Sequence, residues 1–321
     1  MKYIRLTTHN PYYNLALEEY LFRNADDDIF MLWQNSPSVI VGRNQNAYAE
    51  VDLAYTEREG VNVCRRITGG GAVYHDLGNI NYTFISVGSG ERALDFEYFT
   101  RPVLKALSGL GVECSLGGRN DIECGGRKIS GNAQHVEGGR VLHHGTLLFS
   151  ADFDAMESAL KVDKEKLAYR AVKSTRARVV NMREIIGRDI SAEEFVSELE
   201  RGVCTELGAI PTEPPTADEI DAIYRRNRSP EWIFSEKRYL TEYAVTRKKK
   251  YPYGLVSLEL VFSGDVISNV VISGDFFGIL PIEELERMLV GKRYSEALSL
   301  DVSPYISGMT PEELCDLIWQ Q

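Results

Sequence analysis

Short apolar runs, set off by glycine, proline, asparagine and aspartate, dominate the first 150 residues and predict strands at 30–34, 38–41, 61–65 and 79–87. Ahead of them, Asn10 followed by Pro11 reads as a helix start, with the amide as cap and proline in the first turn. Leu15, Leu17, Leu21 and Phe22 supply the apolar side of that helix. The period becomes helical over 95–110 and breaks at Gly117-Gly118. Three more strands, 121–124, 127–130 and 141–150, are separated by Gly125-Gly126 and Gly138-Gly139, as in an antiparallel meander. Helical spacing returns at 152–160, 192–206 and 217–226.

The basic stretch 247–250, followed by Tyr251-Pro252-Tyr253-Gly254, reads as a linker between a large unit, 1–246, and a small one, 247–321. Strands at 255–262 and 266–272 and helices at 281–290 and 311–319 are expected in the small unit. Strands joined by hairpins and mixed with helices, rather than regular βαβ alternation, make the expected fold class α+β.

Composition narrows the function. The 321 residues are 44% hydrophobic and 26% charged, as in an ordinary globular protein. A net charge of -11 argues against a general nucleic-acid binder, which needs a basic field to displace counterions. The N-terminal residues hold no long apolar stretch and no run is able to span a bilayer, so no membrane partner and a cytoplasmic location are expected. Five cysteines without a C-x-x-C spacing suggest neither a disulfide framework nor a zinc knuckle.

Two constellations carry chemistry. Arg65-Arg66 leads from a strand into Gly69-Gly70-Gly71, where backbone N–H groups and a guanidinium can converge on an anion. No Lys-Ser or Lys-Thr follows, and no G-x-G-x-x-G lies between strand and helix, so neither common nucleotide motif is present. The meander carries the second set: Asn120-Asp121, Lys128, Ser130 and His143-His144. Strict alternation would put Lys128 and Ser130 on one face, turned either to solvent or to a pocket.

The order and content of these segments resemble the lipoate–protein ligase family. The matching stretches are Asn14-Leu15-Ala16-Leu17-Glu18-Glu19, Val41-Gly42-Arg43-Asn44-Gln45-Asn46, and Arg65-Arg66 through Gly71-Ala72-Val73-Tyr74-His75-Asp76-Leu77-Gly78-Asn79. They continue in Gly118-Arg119-Asn120-Asp121, Arg127-Lys128-Ile129-Ser130-Gly131 and His144-Gly145-Thr146-Leu147-Leu148. Lys173-Ser174 with 176–181 is similar to the family's adenylate-binding loop, and Gly274-Asp275-Phe276-Phe277 to its accessory domain.

The resemblance implies a mixed, mostly antiparallel sheet with flanking helices, like class II synthetases and biotin/lipoate ligases, plus a small α+β C-terminal domain. It implies that lipoate and ATP, with Mg²⁺, give lipoyl-AMP. The lipoyl group then passes to a lysine of acceptor domains in 2-oxoacid dehydrogenase E2 subunits or the glycine cleavage H protein. Lys128 would sit between the carboxylate and the α-phosphate. Binding would fall to Arg66, Gly70, Gly71, Ala72, Val73, Tyr74, His75, Asn79, Asn120, Asp121, Lys128, Ser130 and His144. Residues 30–33, 73–74 and 147–148 could wall an apolar slot for the lipoyl tail. Arg176, Arg178 and 248–250 could steer the acceptor. The rival readings are an octanoyl or lipoyl transferase working through a cysteine acyl-enzyme, with Cys64 and Cys124 as candidates, and a non-catalytic lipoate- or nucleotide-binding protein.

Overall fold

Alternation in the first 150 residues becomes a sheet whose two faces do different work. The computed structural model describes residues 1–161, 178–235 and 244–319. Among these residues eleven strands occupy the large unit: β1 (Lys2–Arg5), β2 (Ile29–Trp33), β3 (Ser38–Val41), β4 (Asn62–Arg65), β5 (Val73–His75), β6 (Asn79–Ser86), β7 (Ser115–Gly117), β8 (Asp121–Cys124), β9 (Arg127–Glu137), β10 (Arg140–Leu148) and β11 (Ile210–Pro211). Eight form one sheet in the order β11-β1-β2-β6-β10-β9-β8-β7, and β4-β3-β5 form a second. Among the strands of the described residues only β1 with β2 and β11, and β3 with β4, pair in parallel. The mixed, mostly antiparallel α+β architecture agrees with the expectation.

Every residue of β6 is buried, yet its sequence alternates. Ile80, Tyr82 and Phe84 enter the main core, packed with residues of the helices Phe96–Gly109 and Ala192–Leu207. Asn81 and Thr83 point to the other face, where the helix Pro11–Asn24 lies. A polar strand face normally means solvent; here it lies inside the protein and lines part of a cavity. That first helix starts as expected, Asn10 accepting from the backbone N–H groups of Tyr12 and Tyr13. It also buries two carboxylates, Glu18 and Glu19. Burial opposes the charge of Glu19, but Arg226, with Nη1 at 2.9 Å, and Arg23, with Nε at 3.0 Å, hold its pKa below the usual carboxylate range.

Two expectations need correction. The strand expected at 127–130 continues to Glu137, because Gly131, Asn132 and Gln134 hide a long alternation that pairs with β10 from Asn132 to Glu137. The stretch 247–254 is not a linker. It belongs largely to β12 (Val245–Tyr251), which pairs antiparallel with β13 (Gly254–Ser263), itself paired with β14 (Val266–Gly274). β12 is an edge strand, and charged side chains on an edge discourage pairing with another chain, so a basic run is compatible with a strand there. Tyr251, Val256, Leu258 and Ile272 from this sheet build a separate core with the helices Ile282–Leu289 and Pro311–Trp319. Among the described residues no helix is long and apolar enough to cross a membrane.

The turn after β14 joins the two units. Phe276 offers its carbonyl to the N–H of Gly70 at 3.4 Å, and Gly274 donates its N–H to the carbonyl of Asn44 at 2.9 Å. Phe277 is buried beside Phe96, with ring centroids 5.4 Å apart.

Candidate functional site

A cavity of about 270 Å³ lies where the polar faces of β6 and β10, the glycine turn before β5 and the start of β9 converge, with Asp275 contributing from the small unit. Gly70, Gly71, Ala72 and Val73 run along one wall. Gly70 needs its lack of a Cβ, since its backbone is left-handed at φ +85°.

Arg66 lines this cavity but is not an open clamp. Its Nε donates to Thr68 Oγ1 at 2.9 Å, Nη1 to the Ile40 carbonyl at 2.9 Å, and Nη2 to the carbonyls of Gly69 and Gly71 at 2.7 Å each. Burial lowers its pKa to about 10, which leaves it a cation at neutral pH. The guanidinium therefore folds the glycine turn around itself, a role invisible in the motif. Arg65 is also spent on backbone, donating to the carbonyls of Gly42, Arg43, Gln45, Trp232 and Ile233.

Behind Arg66 runs a hydrogen-bonded chain. Trp33 Nε1 donates to Thr83 Oγ1 at 2.9 Å, and Thr83 donates to Glu18 Oε1 at 2.7 Å. His144 meets Glu18 through Nδ1 at 2.9 Å and Thr68 through Nε2 at 2.9 Å. The Glu18 carboxylate can only accept, so the imidazole carries a proton on Nδ1, and in the neutral ring Nε2 accepts from the Thr68 hydroxyl, whose oxygen accepts from Arg66. His143, one residue earlier, faces the opposite side and packs among Tyr82, Phe96 and Phe99.

Lys128 also reaches the cavity, with its Nζ 2.8 Å from Asp121 Oδ1 and both side chains about one-third exposed. Ser130 does not share its face. The β8–β9 register shifts between Ile122 and Glu123, so that Ile122 opposes Ser130 while Glu123 opposes Lys128, and the extra residue breaks the alternation. Ser130 is fully buried and meets the Asn132 amide, whereas the Lys128 side chain lies over Gly131. Val180 donates its N–H to the Lys128 carbonyl at 3.0 Å, which brings the end of the expected adenylate loop against this strand. The part of that loop up to residue 177, including Lys173, Ser174 and Arg176, lies outside the described residues.

Of the other expected residues, His75, Asn120, Asp121 and His144 line the cavity. Tyr74 and Asn79 do not. Tyr74 alternates away from Val73 and His75 into the core of the smaller sheet, and Asn79 is buried with its amide on Asn81. Of the proposed apolar walls Trp33 and Val73 contribute, while Leu147 belongs to the main core.

Arg119 and Asp275 occur in the resembling segments, but no role could be read for them from the sequence. Arg119 donates to the carbonyls of Tyr253 and Asp275 and stacks over Phe277 at 4.5 Å, although burial lowers its pKa. The signal that could have found it is a lone arginine in a Gly-Gly turn beside Asn-Asp. None of the five cysteines lines the cavity. Cys64 is buried, which pushes its thiol pKa far up, and Cys114 is raised to about 12.

Among the described residues no three His, Cys, Asp or Glu side chains are grouped to hold a metal ion. Oxygen donors of the lining, Asp121 and Asn120 among them, suit a Mg²⁺ that arrives with a nucleotide, because Mg²⁺ is commonly held by one or two carboxylates together with substrate phosphates.

The sequence profile of the lipoyl protein ligase A/B catalytic domain matches residues 10–203, and that of the bacterial lipoate protein ligase C-terminus matches 241–318. The chain is 39% identical to lipoate–protein ligase LplJ of Bacillus subtilis, over 97% of each chain. It is 36% identical to lipoate–protein ligase 1 of Staphylococcus aureus, over 96% of this chain and 97% of that one. In structure it is similar to P. falciparum LipL1 in complex with lipoate, at a TM-score of 0.80 and 24% identity over 100% and 99% of the two chains, a likeness of fold. A bipartite lipoate protein ligase from Thermoplasma acidophilum, described with its E2 lipoyl domain, aligns at 0.65 and 30% identity over 75% of this chain and 98% of that one. A lipoate–protein ligase A bound with ATP aligns at 0.62 and 29% identity over 73% and 98%.

Proposed function

The chain belongs to the lipoate–protein ligase family, and from that premise we propose that it joins lipoate to acceptor proteins in two ATP-dependent steps through the cavity around Lys128. In the first, a carboxylate oxygen of lipoate attacks the α-phosphorus of ATP, a P–O bond breaks, and pyrophosphate leaves with lipoyl-AMP formed. In the second, the amine of an acceptor lysine attacks the acyl carbonyl, the acyl–phosphate bond breaks, and AMP leaves.

The observation that carries this reading is a lysine held at the cavity by Asp121, beside a glycine turn and with no cysteine in the lining. Two anions must approach in the first step, and the ammonium of Lys128 offsets their repulsion at the point of contact. Asp121 keeps Nζ in place. The backbone of Gly70 to Val73 offers the nucleotide a wall, and Arg66 holds that wall in shape. Mg²⁺ bound with ATP would be met by Asp121 and would help neutralise the departing pyrophosphate.

The cysteine acyl-enzyme reading finds no support in the cavity, since Cys64 is buried away from it and Cys124 is absent from its lining. The acceptors fitting this reading are lipoyl domains of E2 subunits and the glycine cleavage H protein. The bipartite relative described with an E2 lipoyl domain supports the former. The reading carries with it the cytoplasmic setting expected from the sequence. Lipoate-dependent exchange of labelled pyrophosphate into ATP tests it; acyl transfer from an acyl carrier without ATP would overturn it.

A further inference from the structure

His75 is buried at the cavity wall with one ring nitrogen paired and the other not. The pairing identifies its tautomer. Asn14 Nδ2 is surrounded by three oxygens, the Thr8 carbonyl at 3.1 Å, the Gln34 carbonyl at 2.9 Å and Asn35 Oδ1 at 3.0 Å. Two of these are backbone carbonyls, which identifies the Asn14 atom as its NH₂; an NH₂ cannot accept, so the oxygen of Asn35 faces Asn14 and its NH₂ faces His75 Nδ1, 3.0 Å away. Nδ1 must accept, and the proton of the neutral ring sits on Nε2.

No protein acceptor among the described residues reaches His75 Nε2, although the residue is only 4% exposed and lines the cavity. A buried N–H without a partner is costly unless something else supplies the acceptor. Burial first, then the charge of Arg66 and the proximity of His144, lower the pKa of the ring to about 3. The ring is therefore a fixed neutral donor and not a base. A second unpaired atom lies on the same cavity lining: Asn81 Oδ1 is taken by the Asn79 amide at 2.9 Å, which leaves Asn81 Nδ2 without an acceptor.

We propose that His75 Nε2–H, with Asn81 Nδ2 in the same cavity lining, donates a hydrogen bond to an anionic oxygen of the bound substrates, either the carboxylate of the acyl substrate or a phosphate of the nucleotide. The proposal rests on the ligase reading and adds to it a binding group whose tautomer is set two residues away, by Asn14 acting through Asn35. A neutral donor is well suited to the task. It strengthens the hold on an oxyanion without adding a second cation next to Arg66.

Three measurements decide it. Nitrogen NMR of the labelled wild-type protein at neutral pH should show His75 protonated on Nε2 alone; a proton on Nδ1, or on both nitrogens, overturns the proposal. Calorimetric titration with lipoate alone and with a non-hydrolysable ATP analogue plus Mg²⁺ should then show His75→Phe about 10–100-fold weaker for one of the two, and that arm identifies the source of the oxygen. His75→Gln, which keeps an amide donor at the position of Nε2, should recover part of the loss and covers the case of a misfolded phenylalanine variant. The Nε2 resonance should shift with the same ligand. Unchanged affinity for both ligands in a folded variant overturns the role of His75 alone, whereas wild-type protein that binds neither ligand overturns the ligase reading with it.

Discussion

Arg66 donates from Nη2 to the carbonyl oxygen of Gly71 at 2.7 Å, so the cation that leads into the glycine turn is bonded to the turn itself. Four of its donor contacts end on protein oxygens, and a lysine could not reproduce that planar arrangement. Arg66→Lys should lower stability by about 2–4 kcal/mol in urea unfolding and reduce nucleotide binding with it. A stable variant with wild-type unfolding would show that the turn holds its shape without the fork.

Lys128 and Asp121 form an ion pair at the cavity with both members about one-third exposed. Pairs of this exposure contribute only about 0–1 kcal/mol, so Lys128→Ala should keep its circular dichroism spectrum. Lipoate-dependent pyrophosphate exchange should nevertheless fall by about 10²–10³ or more, with incomplete recovery in Lys128→Arg. Near wild-type exchange in the folded alanine variant would remove Lys128 from the reaction.

Cys64 and Cys124 have no part in this chemistry. Replacing both, Cys64→Ala with Cys124→Ser, should leave turnover within a few fold while costing some stability at the buried Cys64 site. Loss of turnover in a folded double variant would favour acyl transfer through a thiol.

Arg119 spans the two units through the carbonyls of Tyr253 and Asp275 and the face of Phe277. Arg119→Ala should loosen their contact at a cost of about 1–3 kcal/mol. Faster limited proteolysis between the units, or a separate early transition in calorimetry, is the expected sign; a single unchanged transition with unchanged cleavage would count against it.

Two buried histidines predict a steep acid limb. Burial lowers His75 to about 3 and His143 well below its ordinary value, whereas both take up a proton near pH 6.5 once unfolded. Their neutral state therefore favours the native protein fully above about pH 6.5, and that contribution is lost as pH falls toward about 3. For His75 the loss at pH 5 is on the order of 2 kcal/mol. Urea midpoints at pH 7 and pH 5 should differ less in His75→Gln than in the wild type; equal differences would mean that the ring is not buried neutral.

The basic residues expected to steer the acceptor differ in their contacts. Lys250 is bonded to Asp275 at 3.1 Å, so its reversal would disturb the junction of the units as well as any docking. Lys249 sits over the ring of Tyr251 on the edge strand, which makes Lys249→Glu the cleaner probe of transfer to a lipoyl domain.

Local patterns in the chain determined much of the fold by themselves. Asn10-Pro11 starts a helix wherever the following turn can be capped, paired glycines turn hairpins, and the helical period over 96–109 needs no distant partner to be recognised. The order of the motifs likewise indicated the family, since each preserves residue types in sequence. What only the tertiary structure decided depends on partners far apart in the chain. The bulge that separates Lys128 from Ser130 arises in pairing with β8, and the alternation of β9 alone points the other way. The polar face of β6 looks solvated in sequence but is dehydrated, and its groups are matched with Trp33, Glu18 and the cavity. The basic run on β12 becomes a strand because β13 supplies its hydrogen bonds. Which nitrogen of His75 bears the proton is settled by Asn14 through Asn35. Dehydrated polar groups must find partners wherever the fold brings them, and that requirement is written in three dimensions rather than along the chain.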